Sequence, residues 1–173
     1  MSAVANDADF AELFAARAAA LRRTAYLLCG DWHRAEDLTQ TAFAKLYAAW
    51  PRLRDHGAAE AYLRQTLTRT YIDDNKRAWR RERATEPLPD TVVPPVDNDD
   101  RMILLGALAL VAPRQRACLV LRFFDDLSVE ATADVLSCSV GTVKSNTARG
   151  LDTLRRILGE SVLEPATTGG QRT

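Results

Sequence analysis

Apolar positions along the chain recur at intervals of three and four, and nowhere do they alternate convincingly as a strand would. Phe10, Leu13, Phe14, Leu21 and Leu28 keep helical spacing up to Gly30, which predicts a first helix stopped there. Asp31 is placed to cap a second helix, "WHRAEDLTQTAFAKLYAAW", with Ala35, Leu38, Ala42 and Leu46 inward, Asp37, Gln40, Thr41 and Lys45 on the other face, and Pro51 at its end. A third helix starts near Ala59 and runs through Tyr62, Leu63, Leu67, Tyr71 and Ile72 into "KRAWRRER". After a proline-rich break, Asp100 is expected to cap a helix reaching Val111, and Pro113 to open the next.

The segment from Leu127 to Leu158 predicts a short helix capped by Ser128, a sharp turn at "SCS", and a longer helix capped by Ser139. In the longer helix Val140, Val143, Leu151, Leu154 and Leu158 form one stripe, with Thr147 filling a step, while Lys144, Ser145, Ala148, Arg149 and Asp152 face outward. This spacing fits a helix-turn-helix whose second helix enters a DNA major groove, and it fits an ordinary packed helical hairpin equally well.

Charge changes this picture more than composition does. The 173 residues carry no net charge, which by itself argues against a nucleic-acid partner. The distribution reverses that impression: Arg52 to Arg83 holds nine basic and five acidic residues, Glu86 to Asp100 five acidic and none basic, and Arg101 to Glu160 eight basic and six acidic. The acidic stretch "EPLPDTVVPPVDNDD" has four prolines and no helical period, as a self-repelling, extended linker requires. The expected fold class is therefore all-α, two small helical domains joined by an acidic, proline-rich linker, the C-terminal one a helix-turn-helix. The expected bounds are 8–83, 84–100 for the linker and 101–160, with 161–173 a disordered tail.

Several chemistries find no support. Cys29, Cys118 and Cys138 are scattered, without a CxxC pair, so neither a disulfide framework nor a zinc site is expected. Cys29 and His33 lack a second ligand pair. Cys138, with no resolving thiol expected near it, reads as a packed residue rather than a redox switch. Neither a GxSxG elbow nor a run of about 20 apolar residues is present, and the N-terminus has no signal-peptide pattern, so a cytoplasmic protein without catalytic residues, cofactor or membrane insertion is expected.

Two strings taken together, "GDWHRAEDLTQTAFAKLY" and, much later, "APRQRACLVLRFFDDLSVEATADVLSCSVGTVKSNTARGLDTLR", resemble the extracytoplasmic-function (ECF) group of bacterial sigma factors in the sigma-70 family. The resemblance runs from about Phe10 to Leu158. It implies a subunit that joins core RNA polymerase, directs it to promoters and melts the start-proximal DNA. The implied partners are core polymerase, through its β′ coiled coil and β flap, and promoter DNA, and the family also offers an anti-sigma factor.

By the same resemblance Asp37, Gln40, Thr41 and Lys45 form the polymerase-binding face, Thr41 replacing an acidic residue often found there. Arg54, Asp55 and His56 lie in the loop that receives an unstacked base, and Arg69, Asp73, Lys76, Arg77 and Arg80, with Arg81 and Arg83, hold the melted minus-ten DNA. Arg69 stands where many relatives carry asparagine. Trp79 and Tyr71 either stack on bases or pack in the core, the latter being the better fit. Lys144, Ser145, Asn146 and Arg149 contact the minus-thirty-five element, with Asn146 in place of a common arginine. A stand-alone helix-turn-helix regulator, dimeric and independent of core polymerase, is the alternative, and an adaptor binding only protein leaves both basic segments unexplained.

Overall fold

The computed structural model describes residues 2–82 and 100–159. The linker expected at 84–100, save Asp100, together with Arg83 and the tail at 161–173, lies outside the described residues, as does the Trp79 side chain. Seven α-helices are found there: α1 (Ser2–Cys29), α2 (Trp32–Ala49), α3 (Ala59–Glu82), α4 (Asp100–Ala109), α5 (Pro113–Phe123), α6 (Val129–Leu136) and α7 (Val140–Gly159). Among the described residues there is no strand.

Local signals account for most of the boundaries. Gly30 adopts φ +73°, a left-handed conformation that releases the chain from α1, and the Asp31 carboxylate then accepts the Arg34 N–H at 3.1 Å to start α2. Two short 3-10 turns, Trp50–Arg52 around Pro51 and His56–Ala58, carry the chain into α3. Asp100 is the first residue of α4 rather than the last of a linker, and Val111, beyond the helix end, is buried. The first helix begins at Ser2, well before the first apolar residue of its stripe.

The inward face expected of α2 is observed: Ala35, Leu38, Ala42 and Leu46 are all buried, packed with Leu28 of α1 and Leu63 and Leu67 of α3. Each such leucine contributes about 1.5–3 kcal/mol relative to an exposed one. Buried hydroxyls do not spoil this core, because Thr39 and Thr68 each donate to the carbonyl four residues back, Ala35 and Arg64, at 2.7 Å. Phe14 departs from expectation. It is 46% exposed, with Phe43 edge-on to its ring at 4.7 Å.

The N-terminal helices α1–α3 and the C-terminal helices α4–α7 share apolar packing. Ala117 and Val120 of α5 belong to the same buried cluster as Leu28, Leu63, Leu67, Tyr71 and Ile72. Two smaller clusters, Leu108–Val111–Leu119 and Cys118–Ala133–Val143, complete the C-terminal half.

Candidate nucleic-acid and protein interfaces

The helix-turn-helix is built as its sequence requires. The Ser128 Oγ accepts the Ala131 N–H at 3.0 Å to cap α6, and the Ser139 Oγ accepts the Thr142 N–H at 3.1 Å to cap α7. Between them Ser137 takes the left-handed position (φ 51°, ψ 50°), where glycine would be less strained, and Cys138 N–H returns to the Ala133 carbonyl at 3.0 Å. Val143 is fully buried, and Val140, Thr147, Leu151, Leu154 and Leu158 are half-buried along the same stripe. Lys144, Ser145, Ala148, Arg149 and Asp152 are exposed on the opposite side, whereas Asn146 is half-buried. Gly150 lets α7 approach α5 closely, since a Cβ there would lie 2.9 Å from Leu119 Cδ1.

On α3, Arg69, Asp73, Lys76, Arg77 and Arg80 are exposed. Positions 69, 73, 76 and 80 follow the helical repeat, so they form one stripe of three cations and a carboxylate. The Arg81 Nε donates to the Arg77 carbonyl at 3.4 Å. Tyr71 points the other way and is buried, and burial pushes its phenol above the ordinary range. It is a core residue, as its spacing suggested.

The loop before α3 is more ordered than its polar composition implied. The Asp55 carboxylate accepts the Gly57 N–H at 2.8 Å, capping the second 3-10 turn, while Arg54 is exposed. His56 stacks on Trp50 with ring centroids 4.2 Å apart and planes 18° from parallel. Trp50 is itself fixed by donating Nε1–H to the Asn6 carbonyl at 2.8 Å. Sequence reasoning missed Trp50, whose signal was a large aromatic directly before the helix-ending Pro51.

On α2, Asp37, Gln40 and Lys45 are exposed and Thr41 is half-buried, so the four lie on the side away from the core. Gln40 Nε2 donates to Glu36 Oε1 at 3.4 Å, and the Lys45 carbonyl accepts the Tyr62 hydroxyl at 3.4 Å. Nearby, Trp32 is stacked on Tyr26 at 3.9 Å.

Cys138 is not isolated from other thiols, which corrects the sequence reading: it packs in the same apolar cluster as Cys118. Burial pushes the Cys118 thiol up to about 11, so it stays protonated and is a poor nucleophile at neutral pH. Burial raises the Cys29 thiol too, although its Sγ contacts the Asp31 carbonyl at 3.2 Å. Among the described residues no three His, Cys, Asp or Glu side chains gather in a way that could hold a metal ion, and no helix is long and apolar enough to cross a membrane.

Comparison with known proteins agrees with this geometry. Residues 13–83 match sigma-70 region 2 and residues 101–161 match sigma-70 region 4. The chain is 38% identical over 157 residues to the RNA polymerase sigma-E factor of Streptomyces coelicolor, covering 87% of this chain and 86% of that protein. It is 31% identical over 164 residues to the ECF RNA polymerase sigma factor SigE of Mycolicibacterium smegmatis, covering 90% of this chain and 63% of that one. The fold resembles that of the sigma factor RpoE of Bartonella quintana, solved in complex with the anti-sigma factor NepR, with a TM-score of 0.71 and 23% identity over 88% of this chain and 98% of that one. The chain belongs to the ECF group of the sigma-70 family, and is an RNA polymerase sigma factor that directs promoter recognition and transcription initiation.

Proposed function

We propose that the work is divided between the two helical halves as follows. The α3 stripe of Arg69, Asp73, Lys76 and Arg80, with Arg77 beside it and Arg54, Asp55 and His56 in the preceding loop, holds the melted start-proximal strand. Its cations neutralise phosphates. The loop repays the few kcal/mol lost on unstacking a base with hydrogen bonds and with the exposed His56 ring, which is held from behind by the buried Trp50. Lys144, Ser145 and Arg149, exposed near the start of α7, meet the upstream element, and Asn146 reads a base edge from its half-buried position. The α2 face of Asp37, Gln40, Thr41 and Lys45 docks on the β′ coiled coil, and the C-terminal half meets the β flap. Mixed short polar and charged groups on a rigid helix suit steerable docking.

The protein acts by binding alone, in the cytoplasm, and catalyses no covalent step. An anti-sigma factor is a further partner, supported by the complex in which the structurally similar Bartonella quintana protein was solved. The observation that carries the division of labour is the presence of exposed basic faces on both α3 and α7, in segments that match regions 2 and 4.

Run-off transcription with core polymerase on a randomised promoter library tests it. Wild type is expected to yield one enriched pair of elements. Alanine at Lys76 and Arg80 should impair opening on that promoter, and alanine at Lys144 should weaken use of its upstream element. Enrichment that ignores both sets of substitutions would overturn the residue assignments.

A further inference from the structure

Helix α1 begins at Ser2, whereas the match to region 2 begins at residue 13. The turns before that point reach the far end of α2. The Asn6 carbonyl accepts the indole Nε1–H of Trp50, 44 residues away in sequence, at 2.8 Å. The Phe10 ring meets Trp50 edge-on with centroids 5.4 Å apart and Tyr47 at 5.0 Å. The Asp7 carboxylate accepts the Tyr47 hydroxyl at 3.4 Å. Trp50 in turn carries His56, in the loop proposed to receive an unstacked base. We propose that the first turns of α1 are a positioning element for promoter opening: Asn6 and Phe10 fix Trp50, and Trp50 fixes the His56 ring against which the base stacks.

Each link in this chain has a physical cause. A peptide carbonyl has two lone pairs, so Asn6 can serve its own helix and the indole together. Trp50 is 2% exposed, and a buried indole N–H requires an acceptor. Its backbone is held as well, because it caps α2 with its N–H on the Tyr47 carbonyl. With backbone, N–H and ring edge all engaged, the indole plane has one orientation.

His56 has no such burial of its own and is exposed. Its ring lies on Trp50 with centroids 4.2 Å apart and planes 18° from parallel, which fixes the imidazole plane. Its backbone is fixed by the neighbouring cap, in which the Asp55 carboxylate accepts the Gly57 N–H at 2.8 Å. Glycine permits that cap, since a Cβ at 57 would lie 2.9 Å from Asp55 Oδ1. A ring held in place beforehand loses no rotamer freedom when it captures a base.

This matters for opening because the cations of α3 act on phosphates, which are present whether a base is stacked or extruded. A fixed aromatic face engages only the extruded base, and a group that binds one state alone shifts the equilibrium toward it. The inference rests on the reading that the loop before α3 receives a base, and its test separates the two.

Holoenzyme would be assembled from the full chain and core polymerase, and opening followed by permanganate reactivity of unpaired thymines on a promoter enriched from the randomised library. Core binding would be measured alongside, and helix content of each variant by circular dichroism. His56→Ala should lower opening about tenfold, as loss of one base–aromatic stack requires, and His56→Tyr, which keeps a ring, should restore most of it. Phe10→Leu leaves Trp50 and His56 in place but removes the ring edge against the indole. Trp50→Phe keeps a ring under His56 but has no N–H for Asn6. Each should lower opening several-fold at unchanged core binding and helix content, and neither should add a loss in the His56→Ala background, because both act through that ring. If one of them fails to fold, the other carries the same comparison. Single variants that open the promoter like wild type, or losses that add fully to that of His56→Ala, would overturn the positioning role while leaving the base-receiving loop in place. A His56→Tyr protein that opens no better than His56→Ala rejects stacking as the task of the ring. Unimpaired opening by His56→Ala rejects the reading on which the inference rests.

Discussion

Substituting Gly150 by alanine should weaken the protein, although the same change in an uncrowded helix strengthens it. Gly150 is buried in the middle of α7, where alanine is intrinsically favoured by about 1 kcal/mol. The new Cβ, however, would lie 2.9 Å from Leu119 Cδ1, 3.1 Å from Cγ and 3.4 Å from Cδ2, against a preferred separation of about 3.5–4.0 Å. Leu119 is 2% exposed and packed with Leu108 and Val111, so it has little room to retreat. Overpacking of this kind costs about 1–3 kcal/mol, which leaves a net loss of roughly 1 kcal/mol. Leu119→Ala alone should cost about 2–5 kcal/mol through the cavity it leaves. In that background the clash is gone, and Gly150→Ala should turn stabilising by about 1 kcal/mol. Urea unfolding of the four proteins, followed by far-UV circular dichroism with slopes held equal, gives the coupling directly. A stabilising Gly150→Ala in the wild-type background, or the same effect in both backgrounds, would refute the claim that close approach to Leu119 is why glycine stands there.

The remaining expectations concern titration, DNA and docking. The Cys118 thiol is held near 11 in the fold but ionises near ~8.5 in the unfolded chain, so the folded state binds the proton more tightly. Its contribution is complete below ~8.5 and is lost as pH rises toward 11; Cys118→Ala should flatten the alkaline fall in urea midpoint over that window, and an unchanged slope would place the loss elsewhere. Lys144→Ala should weaken promoter binding for all sequences and reduce the salt slope by about one unit, as measured by titration at several ionic strengths. Asn146→Arg should instead shift the selected upstream sequence toward guanine, by roughly 1–3 kcal/mol for a bidentate contact; an identical consensus would make Asn146 a packing residue of the half-buried flank. Asp37→Lys should reduce capture by core polymerase at unchanged helix content, and undiminished capture in a pull-down would remove this face from the docking surface.

Local chemistry was legible in the sequence wherever one element carried its own instructions. The threes and fours of Ala35, Leu38, Ala42 and Leu46 determine which side of α2 is buried, and Asp31, Ser128 and Ser139 determine where helices begin, because a cap and an apolar stripe act within a few residues. The exposed faces of α2 and α7 follow by subtraction, while the roles given to residues on them came from the family resemblance. Periodicity reports that a face is apolar and leaves open what covers it. Thr24 and Asp125 are 101 residues apart, and nothing in either segment announces the other. The same holds for Arg116, which reads as one more basic residue of a DNA-binding half yet is buried against the Leu27 carbonyl. It holds too for His56, whose ring is engaged by Trp50, and for Cys138, which tertiary packing brings into the cluster of Cys118. Only the tertiary structure could make Arg69, which stays exposed, a donor to Ser137, since that contact depends on how two separately amphipathic halves share one apolar core.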